Sequence, residues 1–185
     1  MEKVTFSPKN TIFPMASAVI SVGKGDKANL ITLAYVGKVC LNPPIIAISI
    51  QPKRHSFKLI ESHGEFVINY PSMEQVKETD YCGTRSGRDE NKWKRLNLTK
   101  EKALEVKVPL IKEFPINMEC KVVNKINLGS HVCYFGEVLA THCSKEYLTN
   151  NIIDPTKLDT FVYLAGNYIP LKKEILGTHS FSLKD

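Results

Sequence analysis

The chain has 185 residues, of which 43% are hydrophobic and 24% charged, and its formal net charge is +6. This size and balance predict a single globular domain over residues 1–185, and they exclude a disordered chain. No apolar run reaches the about 18 residues that a membrane-spanning helix needs, so no membrane partner is expected. The modest positive charge fits nucleic acid, an anionic membrane or a phosphorylated cofactor, but lysines spread along the chain as a solvated surface are the simpler explanation.

The cysteines indicate a reducing compartment. Their number is odd and no pair has C-x-x-C spacing, so we expect buried free thiols and no metal site. The amino-terminal segment lacks the apolar core of a secretory signal, which predicts a cytoplasmic protein. The cysteines are Cys40, Cys82, Cys120, Cys133 and Cys143.

Short runs rich in Val, Ile, Tyr and Phe predict β-strands in chain order. Gly, Pro or Asn residues bound these runs, and a turn at residues 23–26 joins the first two into a hairpin. Regular alternation of strands with helices is missing. The pattern therefore predicts a mainly β fold, an antiparallel barrel with short helices at its edges. The predicted strands are residues 16–22, 30–35, 45–50, 65–70, 116–126 and 132–141.

Three short helices are predicted between these strands. The first follows Ser56 and stops at Gly64, and the second starts at Ser72, where Gln75 completes a capping box. The third covers about residues 89–96. Residues 144–157 predict a further irregular helix that Pro155 ends.

Residues 27–60 contain no Asp or Glu and hold five basic residues. At the end of this stretch, Arg54 offers a planar fork of donors, and Ser56 adds a hydroxyl at the start of a predicted helix. Such a stretch suits a bound anion, most simply a phosphate. The open alternative is an ordinary surface helix with a solvated Arg54.

Two further segments are unusual for a plain core. Residues 29–35 place Asn29 and Thr32 where they can face a planar heterocycle, with Tyr35 beside it. Residues 80–93 hold two glycines that allow close backbone approach to a ligand, and Lys92 adds a second positive charge. An ordinary hairpin strand and a surface loop are the alternative interpretations.

Together these motifs resemble the FMN-binding split-barrel flavoproteins of the flavin reductase type, and most closely the flavoredoxin branch. The resemblance covers residues 13–176, nearly the whole chain. It rests on the order and spacing of several motifs rather than on any one of them. They are Asn29-x-x-Thr32-x-Ala34-Tyr35, Asn42-Pro-Pro44 before Ser49, residues 64–69, the Tyr81-x-Gly83-x-x-Ser86-Gly87-Arg88 loop up to Trp93, Leu128-Gly-Ser-His131 with residues 135–138, and residues 163–168.

The resemblance implies a homodimer of antiparallel, Greek-key split barrels with FMN in a groove near the interface. His131 would lie near the nicotinamide or acceptor side of the flavin, and no other catalytic residue is predicted. Relatives often carry Gly-Asp-His there, but this chain has Ser130 in the middle position, which leaves direct use of NAD(P)H open. The implied FMN-binding residues are Asn29, Thr32, Leu33, Ala34, Tyr35, Ser49, Ile50 and Gln51 at the ring, and Arg54, His55, Ser56, Ser86 and Lys92 towards the phosphate.

The resulting functional prediction is an FMN-dependent oxidoreductase of the flavin reductase or flavoredoxin type. Its electron donor would be NAD(P)H or a redox protein, and no nucleic acid partner is expected. Two alternatives remain: a small basic β-barrel that binds single-stranded nucleic acid without catalysis, and a relative that has lost its cofactor.

Overall fold

The computed structural model describes residues 1–9 and 13–183. The single-domain prediction also includes residues 10–12 and 184–185, which lie outside the described residues. The α-helices are α1 (His55–His63), α2 (Val76–Thr84) and α3 (Lys92–Arg95). The strands are β1 (Ala18–Val22), β2 (Asn29–Leu33), β3 (Val36–Cys40), β4 (Ile45–Ile50), β5 (Glu65–Tyr70), β6 (Lys100–Glu101), β7 (Leu110–Ile111), β8 (Ile116–Asn127), β9 (Val132–Cys143), β10 (Leu148–Thr149), β11 (Ile152–Ile153), β12 (Phe161–Leu164) and β13 (Asn167–Pro170).

A seven-stranded antiparallel sheet in the order β2-β1-β5-β8-β9-β4-β3 forms the centre of the molecule. The sheet curls so that β2, at one edge, also contacts β4 near the other edge. This arrangement is a split barrel, and the predicted mainly β, antiparallel fold class is confirmed.

The barrel core follows from alternation along the strands. On β4, Ile46, Ile48 and Ile50 point inward while the residues between them are half-buried. The core also requires a glycine on β9, because a Cβ at Gly136 would lie 2.4 Å from the ring of Phe66. Burial of such side chains supplies most of the favourable free energy of folding.

The local signals for chain reversals are largely confirmed. Gly64 ends α1 in the left-handed conformation with φ of 62°, as its place after the apolar run predicts. Ser72 and Gln75 form the predicted capping box, in which the Ser72 N–H donates to Gln75 Oε1 over 2.9 Å. The box starts a 3₁₀ turn, Met73–Gln75, that leads into α2.

Three elements differ from the sequence-based expectation. The predicted irregular helix at residues 144–157 is wrong: a 3₁₀ turn, Lys145–Tyr147, precedes the β10–β11 hairpin. Asn150 and Asn151, at φ of 53° and 62°, make the tight turn of this hairpin. The composition of the segment alone did not indicate the hairpin. Strand β3 was not predicted, because three of its five residues are exposed and no apolar alternation marks it. The third helix is also shorter than predicted, since α3 covers Lys92–Arg95.

All five cysteines are free thiols, as expected, but the expected burial holds only for Cys82, Cys120 and Cys133, since Cys40 and Cys143 are half-buried. Within the described ranges, 1–9 and 13–183, no helix has the length and apolar character needed to cross a membrane.

Candidate functional site

Two adjoining cavities lie beside β2, β4 and the amino-terminal end of α1. The first, called here the basic cavity, has a volume of about 290 Å³. The second, called the strand cavity, has a volume of about 270 Å³. Ile31, Arg54 and Gly83 line both cavities, so the two form one continuous groove.

The structure brings the predicted phosphate residues together around the basic cavity, although they come from three separate parts of the chain. Sequence reasoning missed the further cations Lys53, Arg85 and Arg88. Arg88 lies within the loop motif that carries the resemblance, and Lys53 directly precedes Arg54. The sequence positions of these two residues could therefore have indicated that they belong to the site. The predicted residues that line this cavity are Asn29, Arg54, His55, Ser56, Ser86 and Lys92.

A close backbone approach shapes the wall of the basic cavity. Asn29 Nδ2, on β2, donates to Ser56 Oγ on α1 over 2.9 Å, and both side chains are buried. A Cβ at Gly87 would lie 2.2 Å from Asn29 Oδ1, so only glycine allows the loop to close against β2. The fold therefore holds this wall through a contact that no larger residue permits.

Lys92 lies at the floor of the basic cavity and has only 2% of its surface exposed. Its ammonium donates to the backbone oxygens of Leu30, over 2.8 Å, and Cys82, over 2.7 Å. Burial lowers the pKa of Lys92 from its ordinary value. The lysine thus ties β2 to α2 as well as lining the cavity, a role that its sequence position does not reveal.

The basic cavity is electropositive. Among the described residues that line it, none carries a carboxylate. Burial lowers the pKa of His55, and the nearby charges of Arg88, Lys92 and Lys58 lower it further. The ion pairs within residues 1–9 and 13–183 involve no cation of this cavity; they are Lys24–Glu65, Lys125–Glu61, His142–Glu119 and Lys173–Asp159.

The amino-terminal end of α1 adds to this field. Among the described residues, no side chain caps this end of the helix, whose first residue is His55. Free N–H groups and the helix dipole favour an anion there. The cavity therefore offers the positive end of a helix, the Arg54 fork and the Ser56 hydroxyl to one negatively charged group.

The strand cavity contains the predicted ring residues. Its walls come from the ends of β2 and β4, with His131 from the residue just before β9. Gln51 Oε1 is buried there and has no hydrogen-bond partner among the described residues. A buried, unpaired acceptor fits a ligand that carries an N–H donor. The predicted residues that line this cavity are Thr32, Leu33, Ala34, Tyr35, Ser49, Ile50, Gln51, Arg54 and His131.

Aromatic and imidazole rings flank the strand cavity. Tyr35 meets His131 edge to face, with ring centroids 5.1 Å apart, and His131 Nδ1 lies 2.8 Å from Ser130 Oγ. Tyr163 was not among the predicted site residues. It reaches the cavity because β12 exchanges two backbone hydrogen bonds with Met15, over 3.0 and 2.9 Å.

This geometry suits a planar group joined to an anion: the plane fits between the strand ends and the rings, and the anion fits among the cations. Residues 10–172 match the model of the flavin reductase like domain. Fold and site thus define a split-barrel protein with a flavin cofactor and a flavin-related redox function. The chain belongs to the flavin reductase-like domain family.

Solved structures support this assignment. The flavoredoxin of Desulfovibrio vulgaris (Miyazaki F) superposes with a TM-score of 0.90 at 26% identity, covering 100% of both chains. The flavoredoxin of Methanosarcina acetivorans gives 0.88 at 28% identity, covering 99% of this chain and 100% of its own. The expected resemblance to the flavin reductase type and the flavoredoxins is confirmed.

Sequence relatives agree. An uncharacterized protein of Archaeoglobus fulgidus is 36% identical over 132 residues, which cover 71% of this chain and 74% of that protein. An NADH-dependent FMN reductase of Streptomyces nodosus subsp. asukaensis is 24% identical over 134 residues, which cover 72% of this chain and 71% of that protein. The second of these relatives supports oxidoreductase activity for the family.

Proposed function

We propose that the protein is an FMN-dependent oxidoreductase that holds FMN across the two cavities. The phosphate occupies the basic cavity, and the flavin ring occupies the strand cavity. One observation carries the proposal: cations without carboxylate partners line one end of a groove whose other end lies between strand ends and aromatic rings. FMN has a dianionic group and a planar ring at the two ends of one molecule.

Each end of the groove has a separate task. Arg54 and Ser56 hold the phosphate at the amino-terminal end of α1, while the Gly87 backbone closes the wall. Gln51 Oε1 accepts a hydrogen bond from an N–H group of the ring, which orients the ring in the groove. Bound FMN supplies the redox chemistry itself, so the chain needs no proton-transfer dyad.

Charge pairing makes the phosphate end the main source of affinity. Hydrogen bonds between a guanidinium and a phosphate are roughly twice as strong as neutral ones. Because the chain provides no carboxylate in this cavity, the phosphate is the counter-charge for Arg54. We therefore expect changes at Arg54 to alter FMN affinity before they alter the rate of electron transfer.

The proposed electron donor is NAD(P)H or a redox protein. His131 lies at the strand cavity, where a donor or acceptor reaches the ring. Its neighbour Ser130 is neutral, so no carboxylate precedes the histidine in the chain. Retention of FMN through purification with slow NAD(P)H oxidation would favour an electron carrier, and rapid exchange of free flavin would favour a reductase.

An absorption spectrum of the purified protein, followed by anaerobic titration, tests the proposal. We expect a yellow protein whose flavin absorption bleaches on addition of dithionite, and of NADH or NADPH if a nicotinamide is the donor. Bleaching by dithionite alone would assign the donor role to a redox protein. A colourless protein that takes up no added FMN would contradict the proposal.

We also propose a homodimer, as the resemblance implies. The edge strand β3 exposes Val39, and Leu41 follows it with 79% of its surface exposed. Apolar side chains on an unpaired edge strand favour association with a second copy. Sedimentation equilibrium should give twice the chain mass of 20.8 kDa. The Leu41→Lys variant should shift the measured mass towards that of the monomer, and a monomeric wild-type protein would contradict the dimer.

A cytoplasmic location remains part of the proposal. Free thiols persist most readily where the surroundings are reducing, and the cysteines of this chain are free. Cell fractionation with antibodies against the protein would check the location.

A further inference from the structure

The basic cavity holds more positive charge than one phosphate neutralises. Five cationic side chains line it: Lys53, Arg54, Arg85, Arg88 and Lys92. A phosphate monoester carries about two negative charges near neutral pH. With FMN bound, about three of these positive charges therefore have no counter-charge among the residues that line the cavity.

The surplus lies at the outer edge of the cavity. Lys53, Arg85 and Arg88 are exposed, and we call them the basic rim. Arg88 Nη2 donates to the backbone oxygen of Lys53 over 2.9 Å, which joins the loop before α1 to the loop after α2. The Arg85 guanidinium lies over the ring of Tyr81, 5.9 Å from its centroid. These contacts hold three cations on one continuous surface.

The basic rim also lines the cavity that adjoins the proposed site of the flavin ring. The basic and strand cavities share Arg54 and Gly83, so an object seated on the rim borders the opening of the strand cavity. Tyr35 and His131 line that cavity. A charged surface at this place can steer a redox partner of opposite charge to the ring.

A neighbouring cavity argues against a dinucleotide as the anion on the rim. It has a volume of about 440 Å³ and shares Arg88 and Gly87 with the basic cavity. Asp26, Asp89 and Glu90 line it, so the phosphates of a dinucleotide that extended into it would approach carboxylates. An acidic protein that rests on the exposed rim does not have to enter this cavity.

We propose that the basic rim is the docking surface for an acidic electron-carrier protein that exchanges electrons with the bound flavin. The inference rests on the proposed function, because it names the partner of the same site. Two reduced one-electron carriers, each losing one electron, would reduce one flavin by two electrons, and the accompanying protons would come from water.

The test compares charge variants with an acidic probe, a recombinant plant-type two-iron ferredoxin. The double variant Lys53→Gln/Arg85→Gln removes two rim charges and keeps the Lys53 backbone oxygen that Arg88 uses. Lys102→Gln/Lys112→Gln is the matched control, because both lysines are exposed and neither lines the three cavities. Because Lys53 and Arg85 also line the basic cavity, fluorescence titration first measures the FMN affinity of all three proteins, and each is then loaded to full FMN occupancy before the rates are compared.

Anaerobic stopped flow then measures the rate at which reduced ferredoxin reduces the FMN-loaded protein. For the wild type and the control, we expect the rate constant to fall about tenfold between about 20 mM and about 300 mM salt. The rim variant should be about tenfold slower at low salt and nearly independent of salt. Reduction of a basic cytochrome c by the reduced protein should be unchanged or faster in the rim variant.

Three outcomes would overturn the inference: no reduction by ferredoxin, an equal loss in the control, or a wild-type rate independent of salt. A rim variant that raises the KM for NADPH while the ferredoxin rate stays unchanged would also overturn it, in favour of a dinucleotide. Salt-dependent binding of ferredoxin to the apoprotein, followed by biolayer interferometry, tests the surface without flavin. Failure of the proposed function would show separately, as wild-type protein that binds no FMN.

Discussion

Two polar regions of this molecule differ in how their polar groups are satisfied. Glu119 on β8 is fully buried, and the chain supplies all of its partners. Its Oε1 accepts from the Leu104 N–H over 2.8 Å and lies 2.6 Å from His142 Nε2. Its Oε2 accepts from the N–H groups of Glu105, over 2.6 Å, and Val106, over 3.0 Å. This group of five residues, called the Glu119 cluster, closes on itself.

In the groove formed by the two cavities, by contrast, the described residues do not supply every partner. Arg54 has no carboxylate beside it among the described residues of the basic cavity, and Gln51 Oε1 is buried without a partner among the described residues. A buried polar atom without a partner costs free energy in a folded chain, so the unpaired Gln51 Oε1 fits a place that a ligand completes. The Glu119 cluster therefore serves stability and the groove serves binding, and substitutions in each region can separate the two roles.

The largest effect is expected from Glu119→Gln. The glutamine amide has one acceptor oxygen, which cannot accept hydrogen bonds from three backbone N–H groups and His142 together. Its NH₂ group is a donor and would be placed against other donors. We expect the free energy of unfolding to fall by about 3 kcal/mol, with FMN affinity unchanged. Urea denaturation followed by circular dichroism measures the first quantity. Glu101→Gln, at an exposed position, should change stability by less than about 0.5 kcal/mol; an equal loss in both variants would contradict the role of the cluster.

Gly87→Ala should affect FMN binding rather than the stability of the fold. The new Cβ would meet Asn29 Oδ1, so the loop must move away from β2 and open the phosphate wall. We expect FMN affinity to fall about thirtyfold, or about 2 kcal/mol, within the usual range for overpacking. Calorimetric titration with FMN measures the change. Gly37→Ala is the control because nothing lies within 4 Å of its added Cβ, and an FMN affinity of Gly87→Ala equal to that of the control would exclude this wall from the site.

Arg54→Ala should weaken FMN binding by tenfold or more, roughly 1.4 kcal/mol. The loss follows from removal of a charge-assisted pair with the phosphate. Arg54→Lys should lose less, since it keeps the charge but not the planar fork. Fluorescence titration compares the two variants, and unchanged affinity in Arg54→Ala would remove Arg54 from the site.

The smallest effect concerns the pH dependence of stability. Burial raises the pKa of Glu119, but hydrogen bonds from Leu104, Glu105, His142 and Val106 outweigh it, and the net pKa lies below the ordinary value of 4.5. A depressed carboxylate pKa contributes stability that is present above about pH 4.5 and is lost as the pH falls through the folded-state value. The stability difference between wild type and Glu119→Gln should therefore narrow below about pH 4.5. Urea titrations at a series of pH values check this, and a constant difference would assign the loss to packing alone.

Much of the fold was predictable because apolar runs and turn residues act locally. The strands β4 and β5, the Gly64 stop and the Ser72 capping box all follow from short-range signals. Strand β3 escaped prediction because its stability comes from pairing with β4 rather than from its own composition. The β10–β11 hairpin was not predicted because its segment was interpreted as an irregular helix. The turn depends on two adjacent asparagines that adopt positive φ angles, which helix propensity does not indicate.

The site was predictable in outline from motif order, but its charge distribution was not. Arg88 and Lys53 are 35 residues apart, and only the tertiary fold joins them. The backbone oxygens that bind Lys92 likewise come from β2 and α2, and no pattern in the sequence marks a backbone acceptor. Tyr163 reaches the strand cavity only through the pairing of β12 with Met15.

The central claim is that the basic cavity binds FMN by its phosphate, and a paired fluorescence titration of the apoprotein with FMN and riboflavin tests it most directly. The two ligands share the ring and differ in the phosphate. We expect FMN to bind about a hundredfold more tightly than riboflavin, or about 2.7 kcal/mol. Equal affinities, or no quenching by FMN, would contradict the claim.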